Sequence, residues 1–262
     1  MTLERWSDGD AYEAFVGHLS RAVAPIFVEW LGVDRGGRWV DVGSGTGALS
    51  ATILQGADPV SIVAVDPSPD FVAAAQATIA DPRVRFEIGS ADALPIADAT
   101  ADAVVAGLVL NFVPDVPAAL AEMRRVAVPG ATVAAYVWDY AEGMGPIRRF
   151  FDAARLVDAG AEAADEGRRF AICRPGPLGD AFRAAGLERV QVRTIDVPAV
   201  YRSFEAYWTP FLSGVGAAPR YLAALPPATQ VAIREQLRST LRPEADGSIH
   251  LAARAWAARG RV

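Results

Sequence analysis

Cysteine is nearly absent from this chain. Cys173 is the one cysteine in 262 residues, so no disulfide forms within it and a cysteine-rich zinc site is excluded. Histidine is almost as scarce: His18 and His250 lie near opposite ends of the sequence, which predicts no metal centre. Positive charge is in short supply as well. Lys and Arg number 25 against 31 Asp and Glu, a net charge of −6, and the basic residues occur in short pairs such as Arg124-Arg125, Arg148-Arg149 and Arg168-Arg169. A chain of this balance is not built around nucleic acid or a polybasic membrane contact. Long apolar runs are missing too. The longest, Ala103 to Leu110, is far too short to span a bilayer, and MTLERWSDGD lacks the basic start and apolar stretch of a signal peptide. These absences predict a soluble, cytoplasmic protein with no membrane span; oligomeric state, monomer or homodimer, stays open.

What the chain has is an apolar fraction of 52%, enough for a sizeable core. It also has a regular alternation of elements. Residues 8–31 read as helical in two pieces, with Pro25 near the start of the second. Arg38 to Val42 is a short apolar strand, and SIVAV (61–65) is a second. Ser68 caps an alanine-rich helix over 70–80 with Pro69 at its first position. Val84 to Ile88, Ala101 to Gly107 and Ala131 to Trp138 are further strands, with a helix over 117–126 before the last. Strands alternating with helices of about ten residues imply βαβ crossovers and a parallel sheet covered on both faces. The pattern changes after Trp138. A strand over 190–195 and an alternating tail from Ile249 to Ala257 extend the sheet, although an alanine-rich tail is also compatible with a short helix. The expected organisation is an N-terminal helical lid segment (1–37) and an α/β core (38–139). A helical insertion (140–175) follows, then the remaining sheet (176–262) with a second insertion near 203–242.

In a doubly wound sheet, ligands bind beyond the carboxyl ends of the strands. After strand one comes Gly43-Ser44-Gly45-Thr46-Gly47, two residues past Asp41. After strand two comes Asp66, with Pro67 and Ser68. After strand three comes Ser90-Ala91-Asp92-Ala93, and after strand four Gly107, Leu108 and Asn111. Glycines admit close approach to backbone, and a helix opening near Gly47 offers free N–H groups. Asp66 stands where an acid accepts from a ribose diol. Asp92 with the Ala93 N–H matches the donor and acceptor pattern of an adenine edge. Singly, each has a plainer reading as a loop glycine, a helix cap or a turn residue. Together, at successive strand ends, they describe one nucleoside pocket.

VDVGSGTG, VAVDPSPDFV, GSADALPIADATADAVVAGLVLNFVPD and MRRVAVPGATVAAYVWD resemble successive motifs of class I S-adenosylmethionine-dependent methyltransferases. They are close to the small-molecule branch that includes ubiquinone and menaquinone biosynthesis enzymes. The resemblance covers roughly residues 12–140 and continues weakly through LGDAFRAAGLERVQV and ARAWAARG. It implies a Rossmann-like, doubly wound, mostly parallel seven-stranded sheet with helical lid insertions. It also implies S-adenosyl-L-methionine as cofactor and S-adenosyl-L-homocysteine as product. Cofactor contacts would fall on Asp41, Gly43, Ser44, Gly45, Thr46, Gly47, Asp66, Pro67, Ser68, Ser90, Ala91, Asp92, Ala93, Gly107, Leu108 and Asn111. Asp41 would hold the methionine ammonium, directly or through water. An acid there suits a cationic ligand rather than a pyrophosphate, and the spacing GxGxG differs from the GxGxxG of dinucleotide loops. Many relatives have a histidine where Asn111 stands, and an amide cannot act as a proton acceptor at neutral pH.

The partner expected is a small-molecule methyl acceptor, apolar or aromatic. Trp138 at the end of strand five and Tyr207, Trp208 and Phe211, grouped with Tyr201 in the second insertion, are the candidate substrate contacts; their plainer role is packing. His18, Tyr12 and Asp139 are the weak catalytic candidates, since alignment alone can drive transfer from an activated donor. Two other classes keep their place: an NAD(P)-dependent oxidoreductase of the same fold, and a non-catalytic cofactor-binding regulator.

Overall fold

The computed structural model describes residues 16–262. Tyr12 and the start of the expected N-terminal helical segment lie outside the described residues. Helix α1, His18–Leu31, carries Pro25 inside it and does not break into two pieces there. Leu19, Val23, Phe27 and Leu31, spaced by four, are all at most 1% exposed. Burying that stripe outweighs the roughly 3 kcal/mol that an interior proline costs.

The core then follows the expected alternation. It runs β1 (Arg38–Val42), α2 (Ala48–Gly56), β2 (Ser61–Asp66), α3 (Pro69–Thr78), β3 (Val84–Ile88), β4 (Ala101–Gly107), α4 (Val116–Val126) and β5 (Ala127–Trp138). Ser68 accepts from the Phe71 N–H at the start of α3, with Pro69 as the first helical residue. Asp115 caps α4 through the Ala118 N–H. The β5 strand begins four residues earlier than expected, and a register irregularity between Ala101 and Ala103 absorbs its Pro129-Gly130.

The remainder comprises α5 (Gly145–Val157), α6 (Ala161–Ala164), α7 (Glu166–Arg169), α8 (Pro175–Ala184) and β6 (Glu188–Tyr201). After these come α9 (Phe204–Trp208), α10 (Ala217–Ala223), α11 (Pro227–Thr240) and β7 (Ile249–Arg261). The tail is a strand, not a helix, and β6 runs six residues past its expected end at Ile195. Pro198 lies within this extension. The β6 strand is the edge of the sheet, where a missing N–H breaks no ladder, and Pro198 is exposed.

The seven strands lie in the order β3-β2-β1-β4-β5-β7-β6. The first five are parallel, with Val40 opposite Val63 and Val104. The Val262 N–H donates to Ala131 O and the Asp139 N–H to Arg254 O, so β7 runs against β5. Opposed pairs Arg254–Asp196 and Arg259–Gln191 set β6 against β7. The chain starts at the centre, walks outward through β2 and β3, then crosses back to β4. The switch point therefore lies between β1 and β4, where a doubly wound sheet opens a crevice at its carboxyl edge.

Packing divides the chain into two compact units. One contains Ser20–Val137, Arg174–Ile195 and Trp256–Val262; the other contains, among the described residues, 16–19, Trp138–Cys173 and Asp196–Ala255. The second, helical unit has its own aromatic core. Phe150 stacks on Phe211 at 4.7 Å, and Tyr207 packs against Phe211 and Tyr201. No helix among the described residues is long and apolar enough to cross a membrane.

Candidate functional site

The loop after β1 contains three glycines with positive φ, Gly43 (+69°), Gly45 (+53°) and Gly47 (+88°), and each is glycine for a different reason. A Cβ on Gly43 would fall 2.8–2.9 Å from Val109 Cβ and Cγ1, in the loop after β4. On Gly47 it would meet Ile79 Cδ1 at 2.6 Å, so bareness there lets α2 pack on the end of α3. A Cβ on Gly45 would meet nothing within 4 Å. The expectation that a ligand excludes side chains along this whole stretch is therefore corrected. At Gly43 and Gly47 the protein's own side chains fill the space, and at Gly45 alone the space is open. Gly107 is a similar correction: the Tyr136 ring occupies its Cβ position, with the hydroxyl 2.8 Å away. Leu108, next in the chain, holds φ +60°, a strained value for a branched side chain.

Beneath the loop, Asp41 is buried at 1% exposure. Its Oδ2 accepts from the Ser50 hydroxyl at 2.7 Å, while its Oδ1 has no hydrogen-bond partner. Burial pushes its pKa from 3.8 up to about 7, opposed by the Ser50 bond and assisted by the neighbouring charge of Asp66. Two more buried polar atoms are unmatched in the same region, Ser44 Oγ in the glycine loop and Asn111 Nδ2 in the loop after β4. An orphaned buried polar atom costs about 1–3 kcal/mol, and three of them lie together at the carboxyl ends of the adjacent strands β1 and β4.

Asp66 ends β2, and burial raises its pKa against two backbone bonds. Its Oδ2 accepts the Gly45 N–H at 2.8 Å and its Oδ1 the Ser68 N–H at 2.9 Å. Each carboxylate oxygen keeps further acceptor capacity. Pro67 is exposed and Thr46 is half-buried. In the 90–93 turn the Ser90 hydroxyl donates to Asp92, whose side chain is exposed. The Ala93 N–H, expected to face an adenine ring, donates to Ser90 O at 3.2 Å and closes the turn. Ala91 lies half-buried within that turn.

The other candidates lie in the helical unit. The Asp139 carboxylate accepts the Glu142 N–H at 3.0 Å, and the Asp139 carbonyl accepts from Gly143 and Met144, so this residue organises the turn into α5. Trp138, Tyr207, Trp208 and Phe211 are at most 5% exposed, and the Tyr207 hydroxyl donates to Pro146 O at 2.6 Å. These are packing positions. His18 is exposed and meets the Tyr201 ring edge-on at 6.1 Å. No group of three or more His, Cys, Asp or Glu among the described residues could hold a metal. Ser50, Val109 and Tyr136 escaped sequence reading. Their roles arise from contacts across the fold, and nothing in their local sequence marks them.

A buried acid thus lies beneath a loop that is open at Gly45, with unmatched polar atoms on both sides of the β1–β4 switch point. A family model described as a methyltransferase domain matches residues 40–135. An uncharacterised protein of Mycobacterium tuberculosis is 30% identical over 135 residues, 51% of this chain and 48% of the relative; the chain thus spans about half the length of that relative. A demethylmenaquinone methyltransferase of Roseiflexus is 33% identical over 178 residues, 62% of this chain and 73% of the relative. The solved structure of an Anaeromyxobacter dehalogenans protein superposes with a TM-score of 0.65 at 21% identity, covering 90% of this chain and 95% of that one. Matched in sequence across its cofactor-side strands and in fold across most of its length, the chain belongs to the class I S-adenosylmethionine-dependent methyltransferases.

Proposed function

We propose that this protein transfers a methyl group from S-adenosyl-L-methionine to a small apolar or aromatic molecule. The observation that carries this reading is the set of unmatched buried atoms Asp41 Oδ1, Ser44 Oγ and Asn111 Nδ2 beside the open Gly45 backbone. They fit the cofactor's amino-acid tail: Asp41 Oδ1 accepts from its ammonium, and the donors Ser44 and Asn111 suit its carboxylate. Asp66 accepts the ribose hydroxyls on the lone pairs that Gly45 and Ser68 leave free. The exposed Asp92 accepts from the exocyclic amine of adenine. When bound, the cofactor supplies an activated methyl on a sulfonium.

The chain's task is then alignment and exclusion of water, worth several kcal/mol and up to roughly 7–11 in ideal cases. Asn111 holds position and takes no proton. The aromatic acceptor is supported by the Roseiflexus relative, named for demethylmenaquinone.

Calorimetry with S-adenosylmethionine, S-adenosylhomocysteine and NADH tests the cofactor. Binding of the first two with none of NADH is expected; no binding at hundreds of micromolar would sink the reading. A methyl-transfer screen against quinols, phenols, amines and carboxylates then tests the acceptor. Tight cofactor binding with no transfer to any class would favour a regulatory protein instead.

A further inference from the structure

The helical unit contains a groove of 440 Å³ where α5, the end of α11 and the start of β7 meet. Arg149 comes from α5, Thr240 and Arg242 from the α11 terminus, and His250 from β7. Most arginines of this unit are matched to an acid. Arg148 and Arg155 pair with Asp165, Arg168 with Glu162, Arg234 and Arg238 with Glu205, and Arg254 with Asp196. Arg149 and Arg242 pair with no acid among the described residues, yet both face this groove.

The histidine beside them has a fixed tautomer. Asp246 Oδ1 accepts both the Ser248 N–H (2.9 Å) and the Ser248 hydroxyl (2.6 Å). The Ser248 hydrogen is thus committed to Asp246, and Ser248 Oγ, 3.0 Å from His250 Nε2, accepts from it. With the Nε2 hydrogen given to Ser248, a neutral His250 ring has only an acceptor nitrogen left. The two Ser248 bonds stabilise Asp246 as a carboxylate, which keeps its negative charge. At the helix end, Leu237 O takes both the Leu241 N–H and the Thr240 hydroxyl.

We propose that this groove binds the phosphoryl group of a small phosphorylated molecule, held between the Arg149 and Arg242 guanidiniums. Two forked cations approaching from different elements suit a tetrahedral oxyanion with several acceptor oxygens. The groove exceeds what one phosphate fills, leaving room for a small organic group. This site is independent of the cofactor reading, and its test needs no methyl transfer.

The full chain is titrated calorimetrically with phenyl phosphate, inorganic phosphate and benzoate. Vesicles containing phosphatidic acid form a parallel arm. Saturable binding of phenyl phosphate is expected, weakened about fivefold or more by Arg149→Gln or Arg242→Gln and abolished by the pair, with S-adenosylmethionine binding unchanged. Both arginines are exposed, so the variants fold. Absence of saturable binding by about 10 mM overturns the proposal, as does unchanged affinity in the double variant. Equal binding of benzoate rejects the phosphoryl class, and binding to vesicles alone rejects a small-molecule ligand.

Discussion

The Asp66 carboxylate at the end of β2 holds the Gly45 N–H at 2.8 Å, so the acid proposed to bind the ribose also fixes the crown of the glycine loop. Its other oxygen holds Ser68 at the start of α3. One side chain thus sets the shape of two walls of the site. Asp66→Ala is expected to lose cofactor affinity by about 10- to 1000-fold, more than ribose contacts alone would explain, together with a lowered Tm. Asp66→Asn keeps one acceptor oxygen and falls between wild type and alanine. Calorimetry and thermal melts of the ligand-free variants check this; an unchanged Tm for Asp66→Ala would show that the loop does not depend on the acid.

Asp41 makes the ligand-free protein sensitive to pH. Its carboxyl titrates near 7 in the fold and near 3.8 in an ordinary setting. Between those values the folded state holds a proton that the unfolded chain has released, so the contribution of Asp41 to stability falls as pH rises from about 4 to about 7. A cofactor ammonium favours the ionised form. Binding below pH 7 therefore expels a proton, and affinity rises with pH by at most about tenfold per unit before levelling above 7. Calorimetry in buffers of different ionisation heat measures the proton directly. Asp41→Asn is expected to bind weakly and without that slope.

The three loop glycines separate under substitution. Gly43→Ala, at φ +69° with Val109 in the way, is expected to cost about 3 kcal/mol or more of stability. Gly45→Ala has open space and carries the left-handed penalty of about 1–2 kcal/mol alone, yet it reduces cofactor binding. Val109→Ala removes both γ carbons from the Gly43 position and leaves Cβ at 2.8 Å, so it rescues Gly43→Ala in part. A double-mutant cycle by urea unfolding measures the coupling; additive effects would refute the contact.

Asp165 in the helical unit has a fully buried side chain that receives Arg148, Arg155 and the Gly167 N–H. Removing it strands the Arg148 guanidinium, whose side chain is 12% exposed. Asp165→Ala is expected to destabilise by about 3–5 kcal/mol, while the cofactor affinity of the folded fraction is retained. Chemical denaturation combined with cofactor titration checks both halves.

Much of the candidate site was legible in sequence because its parts sit at strand ends. An acid after a strand or a glycine run before a helix is a local pattern, and the order of elements brings such ends to one edge. Less legible was the reason for each residue. Gly43, Gly47 and Gly107 read as ligand-facing, yet Val109, Ile79 and Tyr136 fill their missing side-chain positions. The Ala93 N–H reads as available and is folded into its own turn. The aromatic residues of the second insertion read as a substrate wall, and Phe150 and Pro146 claim them as core.

By itself the sequence determined the alternation of strands and helices, the parallel core from Arg38 to Trp138, and the acids at the ends of β1 and β2. These follow from periodicity, caps and spacing, which act over a few residues. Tertiary structure alone decided that α1 runs through Pro25, that β6 continues past Pro198, and that β7 is a strand. It also decided that Asp41 lies buried with one oxygen on Ser50 and the other unmatched. Each of those outcomes depends on a neighbour supplied by a different element: a buried face to offset a proline, a sheet edge where no N–H is needed, a low-dielectric floor beneath a loop.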